Sequence, residues 1–210
     1  PARTGGAFAE RDPTGAGPCR LGRLRHDSMH FNKLPVLDHP LVKLRPLRAD
    51  DLPTWSNYLN DPVVFEHTSW NHPSPADLAV YVGSHDCGEP GHLLRLAIAR
   101  QVDDALVGTI GYHTVSPGHR SAELAYDMAP IFWGRGWMCA AGEAMVRWAH
   151  ENAGLLRVQA TVLESNWRSQ KTLDRLGFAR EGLLRSLRLV RGRPGNFFMY
   201  AHVVTMAPSV

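Results

Sequence analysis

Residues 122–141 decide the fold of this chain, and they read AELAYDMAPIFWGRGWMCAA. Residues 122–128 have the pattern of a strand, and a proline ends it shortly afterwards. A long helix is predicted to begin at Gly134, Arg135 and Gly136, because apolar residues recur at helical spacing beyond them. A strand that passes directly into a helix leaves unpaired backbone N–H groups at the positive end of the helix dipole. The junction is therefore suited to bind phosphate oxygens, with Arg135 as a countercharge.

Two common nucleotide-binding motifs are excluded at this junction. A dinucleotide-binding fingerprint requires a third glycine at position 139, which is occupied by Cys139. A P-loop requires the sequence Gly-Lys-Ser/Thr, which is absent. Two glycines alone are also typical of an ordinary loop that caps a helix, so the rest of the chain must decide the function of the junction.

The segments on both sides of the junction predict the element order βααβββαβαββ. Upstream we expect a strand, two helices and two strands, at about 41–47, 50–59, 75–82, 92–100 and 106–115. Downstream we expect a helix, a strand, a helix and two strands, at 137–152, 157–163, 166–176, 178–190 and 196–204. Short connections make neighbouring strands antiparallel, whereas the unit 122–163 requires a parallel pair with a right-handed crossover. The predicted fold class is α/β (α+β), with a mixed, mostly antiparallel sheet of about seven strands flanked by about four helices.

The composition indicates one globular domain preceded by a disordered extension. The chain has 210 residues, of which 44% are hydrophobic and 20% charged, and this excludes disordered, collagen-like and coiled-coil proteins. Residues 1–28 are rich in glycine, proline and arginine without periodicity, so we expect them to be the extension and 29–210 to be the domain. The net charge is +3, and two of these charges lie in 1–28, so the domain itself gives no reason to expect nucleic-acid binding.

No segment predicts a membrane span, a disulfide framework or a metal site. No apolar run approaches the roughly 18 residues that span a bilayer, and the N-terminus lacks the apolar run of a signal peptide, so a cytoplasmic location is expected. The chain has three cysteines, Cys19, Cys87 and Cys139, and because they are odd in number and far apart in sequence they do not indicate a disulfide framework or a structural zinc site. His67 and His72 have no partner at metal-ligand spacing, so no metal is expected.

Four segments, taken in order, resemble the GNAT N-acetyltransferases, in the branch that contains the RimJ and RimL protein N-terminal acetylating enzymes. The matching segments are AELAYDMAP, WGRGWMCAA, ESNWRSQKTLDRLGF and GNFFMYAHV, within roughly 40–205. The resemblance implies that acetyl-CoA is the cosubstrate and that backbone amides before the long helix bind its pyrophosphate. The cofactor-binding residues implied by position are Met128, Trp133, Gly134, Arg135, Gly136, Trp137, Met138, Asn166 and Lys171.

Glu123 is predicted to be the catalytic base of this reaction. Acetyl transfer needs an amine with a free lone pair, so a base must take the proton directly or through water. Glu123 lies on the central strand, five residues before its end at Met128, where we expect partial burial to raise the pKa of the carboxyl group. The alternative interpretation is a strand carboxylate that pairs with Arg120 or is solvated.

The resemblance also implies groups that act on the carbonyl oxygen and on the leaving sulfur. A backbone N–H near Met128, where the fourth strand separates from the fifth, is expected to stabilise the oxyanion. Many family members protonate the thiolate with a tyrosine, but that position is Leu173 here, so Ser169 is predicted to take its place. Because serine is a weak acid, we expect Ser169 to orient the sulfur or a water; the alternative is a hydroxyl that bonds the helix backbone.

The acceptor is expected to enter opposite coenzyme A, between the loop after the first helix and the last hairpin. Glu66, His67 and Trp70 in that loop are predicted to bind a primary amine by charge and stacking. A surface loop pinned by Phe65 and Trp70 is the alternative. The amine belongs to a small molecule, such as an aminoglycoside or a polyamine, or to a protein N-terminus, and the protein is a monomer or a homodimer. The last hairpin carries four arginines, a pattern typical of a solvated strand face or of contact with an acidic polypeptide. They are Arg185, Arg188, Arg191 and Arg193.

Two other functions remain open at the level of sequence. A non-catalytic acyl-CoA binding or sensing module would keep the glycine loop and Asn166 but would not need Glu123. A nucleotide-binding regulator would bind ATP or NAD in preference to acetyl-CoA.

Overall fold

Seven strands form one sheet in the computed structural model, which describes residues 34–83 and 94–204. The strands are β1 (Val42–Pro46), β2 (Leu94–Arg100), β3 (Leu106–Ser116), β4 (Ser121–Met128), β5 (Arg157–Leu163), β6 (Ala179–Val190) and β7 (Arg193–Val203). The described helices are α1 (Leu52–Leu59), α2 (Pro62–Phe65), α3 (Pro75–Leu78), α4 (Trp137–Glu151) and α5 (Trp167–Arg175). The predicted extension at 1–28 lies outside the described residues.

The sheet is mixed, as the sequence predicts, and its strand order is β1-β2-β3-β4-β5-β7-β6. The pair β4–β5 is parallel and α4 connects its two strands, whereas the other pairs are antiparallel. One helix was not predicted: α2 is a single turn in a segment expected to be a loop. Asp61 starts this turn by accepting a hydrogen bond from the Val63 N–H at 3.0 Å, and Pro62 occupies the first helical position.

β4 and β5 pair over a short distance and then separate. Their pairing ends at Glu123, which lies opposite Gln159. β4 continues to pair with β3 as far as Met128, and β5 continues to pair with β7 as far as Leu163. The free edges of 124–128 and 160–163 therefore face a space that we call the β4–β5 gap.

The hydrogen-bond alternation along β4 aims backbone N–H groups into this gap. The N–H of Ala129 donates to the carbonyl of Val107 at 3.0 Å, so every second residue before Ala129 also faces β3. The residues between them face the other way, and the N–H groups of Tyr126 and Met128 therefore point into the β4–β5 gap. The strand separation was expected near Met128; it begins earlier, directly after Glu123, so β4 is already unpaired from β5 at Met128.

Apolar side chains pack on both faces of the sheet. The helices α4 and α5 bury Trp137, Met145 and Leu173 against one face, while α1 buries Trp55 and Leu59 against the other. Each such side chain stabilises the fold by roughly 1.5–3 kcal/mol. Because both faces are covered, the strands that border the gap are held firmly in place. Among the helices in the described ranges, none is long and apolar enough to cross a membrane.

Candidate active site

Two cavities open onto the β4–β5 gap. The first, of about 340 Å³, is bordered by the turn before α4 and by the first turns of α4 and α5, and we call it the helix cavity. The second, of about 380 Å³, is bordered by β4, β5 and the β6–β7 hairpin, and we call it the hairpin cavity. The residues that line both are His67, Thr68, Tyr126, Asp127, Asn166 and Ser169. The cavities therefore meet where β4 leaves β5.

The turn before α4 presents free backbone amides to the helix cavity. Gly134 and Gly136 have φ angles of +77° and +78°, which other residues rarely adopt, and a Cβ on either would meet no atom within 4 Å. Gly136 is the N-cap of α4 and no side chain caps the helix there. The first N–H bonded within the helix is that of Ala140, which donates to the Gly136 carbonyl at 3.0 Å. The amides of the turn and of the first helical residues are thus oriented for an anion. The predicted residues of this turn that line the cavity are Trp133, Gly134, Arg135, Gly136, Trp137 and Met138.

Asn166 organises the start of α5 on the opposite wall. Its Oδ1 accepts a hydrogen bond from the Ser169 N–H at 3.1 Å, which caps the helix. Its Nδ2 donates to the carbonyl of His67 at 3.0 Å. One side chain therefore fixes the helix that carries Ser169 and also ties that helix to the segment after α2.

The helix cavity is electrostatically positive. The cationic side chains in its lining are Arg135, Arg168, Lys171 and Arg175. Arg168 lies over the rings of Trp133 and Trp167, at 4.9 and 4.5 Å from their centroids. The acid in the described lining is Asp127, whose charge is balanced by Arg95. A cavity with these charges suits an anionic ligand such as a diphosphate.

Tyr126 contacts Ser169 at the junction of the two cavities, and sequence reasoning missed it. The Tyr126 hydroxyl lies 2.8 Å from Ser169 Oγ and 3.1 Å from the Ser169 carbonyl oxygen. Burial raises the pKa of Tyr126, so its hydroxyl stays protonated. Strand alternation does place Tyr126 on the same face as Leu124 and Met128, but nothing in the sequence indicates that α5 brings Ser169 to it.

Glu123 is buried, with 9% of its surface exposed, and three side chains contact one of its carboxylate oxygens. The hydroxyl of Thr161 donates to Oε1 at 2.6 Å, while Arg188 Nη2 and His113 Nε2 each lie 3.2 Å from the same atom. Among the described residues, those three partners line the hairpin cavity and Glu123 itself does not. The pairing with Arg120, which was the alternative interpretation, is not formed, because the Arg120 guanidinium donates to the Gly154 carbonyl at 2.8 Å.

The prediction that burial raises the pKa of Glu123 to a useful value is wrong. Burial does raise it, but the hydrogen bonds of His113 and Thr161 and the charges of His113 and Arg188 lower it further, to about 2. Glu123 is therefore ionised at neutral pH. The sequence could not reveal this, because the three partners come from β3, β5 and β6.

A buried polar cluster forms one end of the hairpin cavity. The Asp127 carboxylate makes an ion pair with Arg95 and accepts hydrogen bonds from the Trp55 indole at 3.1 Å and the Thr109 hydroxyl at 2.8 Å. The Tyr58 hydroxyl also donates to it, and burial, together with the charge of Asp127, raises the pKa of Tyr58 well above its ordinary value. The only sequence signal for this cluster is the presence of polar residues inside apolar strands.

The structure places two of the three residues predicted to bind the acceptor, His67 and Trp70, at the hairpin cavity and leaves Glu66 outside it. His67 lines both cavities, and Trp70 lines the hairpin cavity, where it packs edge-on against Trp55 and Tyr81. Glu66 has an exposed side chain and belongs to the lining of neither cavity. No cluster of three or more metal-ligating residues (His, Cys, Asp or Glu) occurs in the described ranges 34–83 and 94–204.

Comparison with known proteins agrees with this architecture. Residues 42–179 match the family model of the acetyltransferase (GNAT) domain. An uncharacterized N-acetyltransferase, YoaA of Bacillus subtilis (strain 168), is 33% identical over 110 residues, which are 52% of this chain and 62% of that protein. The chain therefore spans less than two thirds of that relative. An uncharacterized N-acetyltransferase, p20 of Bacillus licheniformis, is 28% identical over 164 residues, which are 76% of this chain and 91% of that protein.

A solved structure of RimL, a ribosomal L7/L12 alpha-N-protein acetyltransferase in complex with coenzyme A, has the same fold. Its TM-score is 0.69 at 18% identity, covering 80% of this chain and 98% of that one. The predicted fold class and the resemblance to this family are confirmed. The family match covers more than half of the chain, and the chain therefore belongs to the GNAT acetyltransferases.

Proposed function

We propose that this chain transfers an acetyl group from acetyl-CoA to a primary amine by direct attack within a ternary complex. The observation that carries this proposal is the meeting of the two cavities at the β4–β5 gap, where six residues line both. A thioester in the helix cavity and an amine in the hairpin cavity would reach the same backbone edge. This arrangement allows transfer without a covalent enzyme intermediate.

The helix cavity supplies the groups for coenzyme A. The amides around Gly134 and Gly136 and the start of α4 would bind the diphosphate, supported by Arg135 and Lys171. The N–H groups of Tyr126 and Met128 face the gap, where the carbonyl oxygen gains negative charge during attack. The Ser169 hydroxyl, held by Tyr126 at 2.8 Å, would orient the leaving sulfur or a water that protonates it.

Glu123 is proposed to assist removal of the amine proton through a neighbouring group. The carboxylate is ionised and its three partners, which line the hairpin cavity, separate it from the amine, so the proton must pass to one of them or to water. Of the three partners, His113 carries the side chain that acts most often as a general acid or base. Its Nε2 lies 3.2 Å from the carboxylate, so an imidazole that takes the proton has its counterion in contact.

The acceptor is a small-molecule amine or a protein N-terminus. The name of RimL favours the second, because that protein is described as acting on a ribosomal protein. The alternative function, a non-catalytic acyl-CoA binding or sensing module, requires the helix cavity but not the groups around Glu123.

The test is a screen of amines that reads free thiol released from acetyl-CoA. The panel contains polyamines, aminoglycosides and short peptides with free or blocked N-termini. We expect release to rise with at least one free amine and to disappear when its amine is blocked. Thermal stabilisation by acetyl-CoA with no release for any amine would favour the binding module, and stabilisation by ATP or NAD alone would favour a nucleotide-binding regulator.

A further inference from the structure

Segment 65–68 consists of the last residue of α2 and the three residues after it, and all of its backbone carbonyls accept hydrogen bonds from side chains in distant parts of the chain. Arg191 donates from Nη1 to the carbonyls of Phe65 at 2.9 Å and Thr68 at 3.1 Å, and from Nη2 to that of Glu66 at 3.0 Å. The fourth carbonyl, of His67, accepts from Asn166. The Arg191 guanidinium also lies 4.8 Å from the centroid of the Phe65 ring.

The two side chains that hold this segment come from different elements. Asn166 caps the start of α5 and lines both cavities, whereas Arg191 lies in the turn between β6 and β7 and lines neither. Between these two anchors, His67 and Thr68 line both cavities. The position of segment 65–68 therefore depends on one anchor from α5 and one from the β6–β7 turn.

The backbone at Arg191 is unusual for an arginine. Val190 pairs with Arg193, so the hairpin turn has only two residues, and their φ angles are +51° at Arg191 and +75° at Gly192. Two successive positive φ angles are typical of a type I′ turn, whose first position favours asparagine, aspartate or glycine. A residue held in this region against its preference persists because its surroundings require it, which points to a role for the side chain.

We propose that Arg191 is a positioning residue of the transfer reaction, which holds segment 65–68 so that His67 and Thr68 stay at the junction of the two cavities. This inference rests on the proposed function for its kinetic consequence, but not for its structural one. The planar guanidinium is required, because one group must donate to three carbonyls at once. A lysine keeps the charge but cannot reproduce that geometry.

The kinetic test compares R191A and R191K with R193A, which removes a charge from an exposed position of the same hairpin. We expect kcat/KM for the amine to fall by about 10- to 100-fold in both Arg191 variants, because a displacement of about 1 Å can cost this much. The KM for acetyl-CoA should change less, since Asn166 still anchors the segment to α5. The melting temperature should change little, because residues 65–68 belong to neither of the two buried hydrophobic clusters. Recovery in R191K, or equal behaviour of R191A and R193A, would overturn the proposal.

Hydrogen exchange tests the structural consequence of this proposal, which is the order of segment 65–68, and it needs no acceptor amine. The N–H groups of 65–68 are bonded within the segment and its preceding turn, so their protection reports its order. We expect exchange in R191A to accelerate by about tenfold or more at these amides and to stay unchanged along β7. If the wild type transfers no acetyl group, the proposed function fails, but this measurement still decides the inference: unchanged exchange at 65–68 overturns it.

Discussion

The helix cavity and the hairpin cavity are similar in volume but are built in different ways. The helix cavity is formed largely by consecutive backbone around Gly134 and Gly136 and by the ends of two helices. The hairpin cavity is formed largely by side chains from six strands, and its charged groups neutralise one another. Backbone amides recognise a constant ligand, whereas a surface of paired side chains can vary. The helix cavity therefore suits the common acetyl donor, and the hairpin cavity should determine the acceptor.

The largest effect should come from E123Q, which removes the negative charge that Thr161, Arg188 and His113 contact beside the hairpin cavity. We expect kcat to fall by about 100- to 10,000-fold, because the imidazolium of His113 loses its counterion during proton transfer. The affinity for acetyl-CoA should not change, because Glu123 does not line the helix cavity. Steady-state kinetics and a binding titration measure the two quantities.

The matched control is E181Q. Glu181 also makes an ion pair, with Arg157 at 2.6 Å, but its side chain is exposed on β6. This variant should behave as the wild type. Equal transfer by E123Q and the wild type, with acetyl-CoA still bound, would remove Glu123 from the mechanism.

The pH dependence of folding stability should also report the contacts that stabilise the ionised Glu123. The pKa of Glu123 is about 2 in the folded protein and 4.5 for the ordinary group, so the folded state binds fewer protons than the unfolded state. The stabilisation is fully present above pH 4.5 and is lost as the pH falls toward 2, and it amounts to roughly 3 kcal/mol. In urea unfolding, the free energy of unfolding of E123Q should be lower than that of the wild type near neutral pH, and this difference should shrink as the pH falls. Parallel stability curves would contradict the assignment.

The helix cavity can be tested at its backbone with G136V. The φ of +78° is strained for valine by about 1–2 kcal/mol, and the side chain would occupy the turn that faces the ligand. We expect the Kd for acetyl-CoA to rise by about tenfold or more, equivalent to ~1.4 kcal/mol. The control is G83V, because Gly83 has the same φ of +78° and equally free surroundings but lies outside both cavity linings. A similar rise in both variants would mean that the turn does not contact the ligand.

A smaller effect is expected for Y126F, at the junction of the cavities. Removal of the hydroxyl leaves Ser169 Oγ without its 2.8 Å partner, so kcat/KM should fall by about fivefold, or ~1 kcal/mol. Y112F is the matched control, because the buried Tyr112 hydroxyl also donates a hydrogen bond, to the Met145 carbonyl at 2.8 Å, but lies outside both cavity linings. Y112F should lower stability without changing transfer. If Y126F does the same, the Tyr126 hydroxyl has a structural role only.

The difference between the cavities also explains what the sequence predicts well. The junction at 128–138 is contiguous, so strand alternation, a helix-breaking proline and two glycines suffice to place it. The environment of Glu123 depends on His113, Thr161 and Arg188, which lie 10, 38 and 65 positions away in the sequence. Only the arrangement of the strands in the sheet brings them to the carboxylate. Likewise, the position of Glu66 outside the cavities follows from the anchors of segment 65–68, which no local pattern reveals. Local backbone chemistry is predictable, whereas a charge balance assembled across strands requires the structure.

The proposed transfer requires that the two cavities share one reaction centre at the β4–β5 gap. The most direct test is a crystal structure of the wild-type chain grown with coenzyme A. We expect diphosphate oxygens at about 3 Å from the amides around Gly134 and Gly136, and the sulfur in the gap beside Tyr126 and Ser169, open to the hairpin cavity. A diphosphate bound elsewhere, or a sulfur that does not reach the gap, would contradict it.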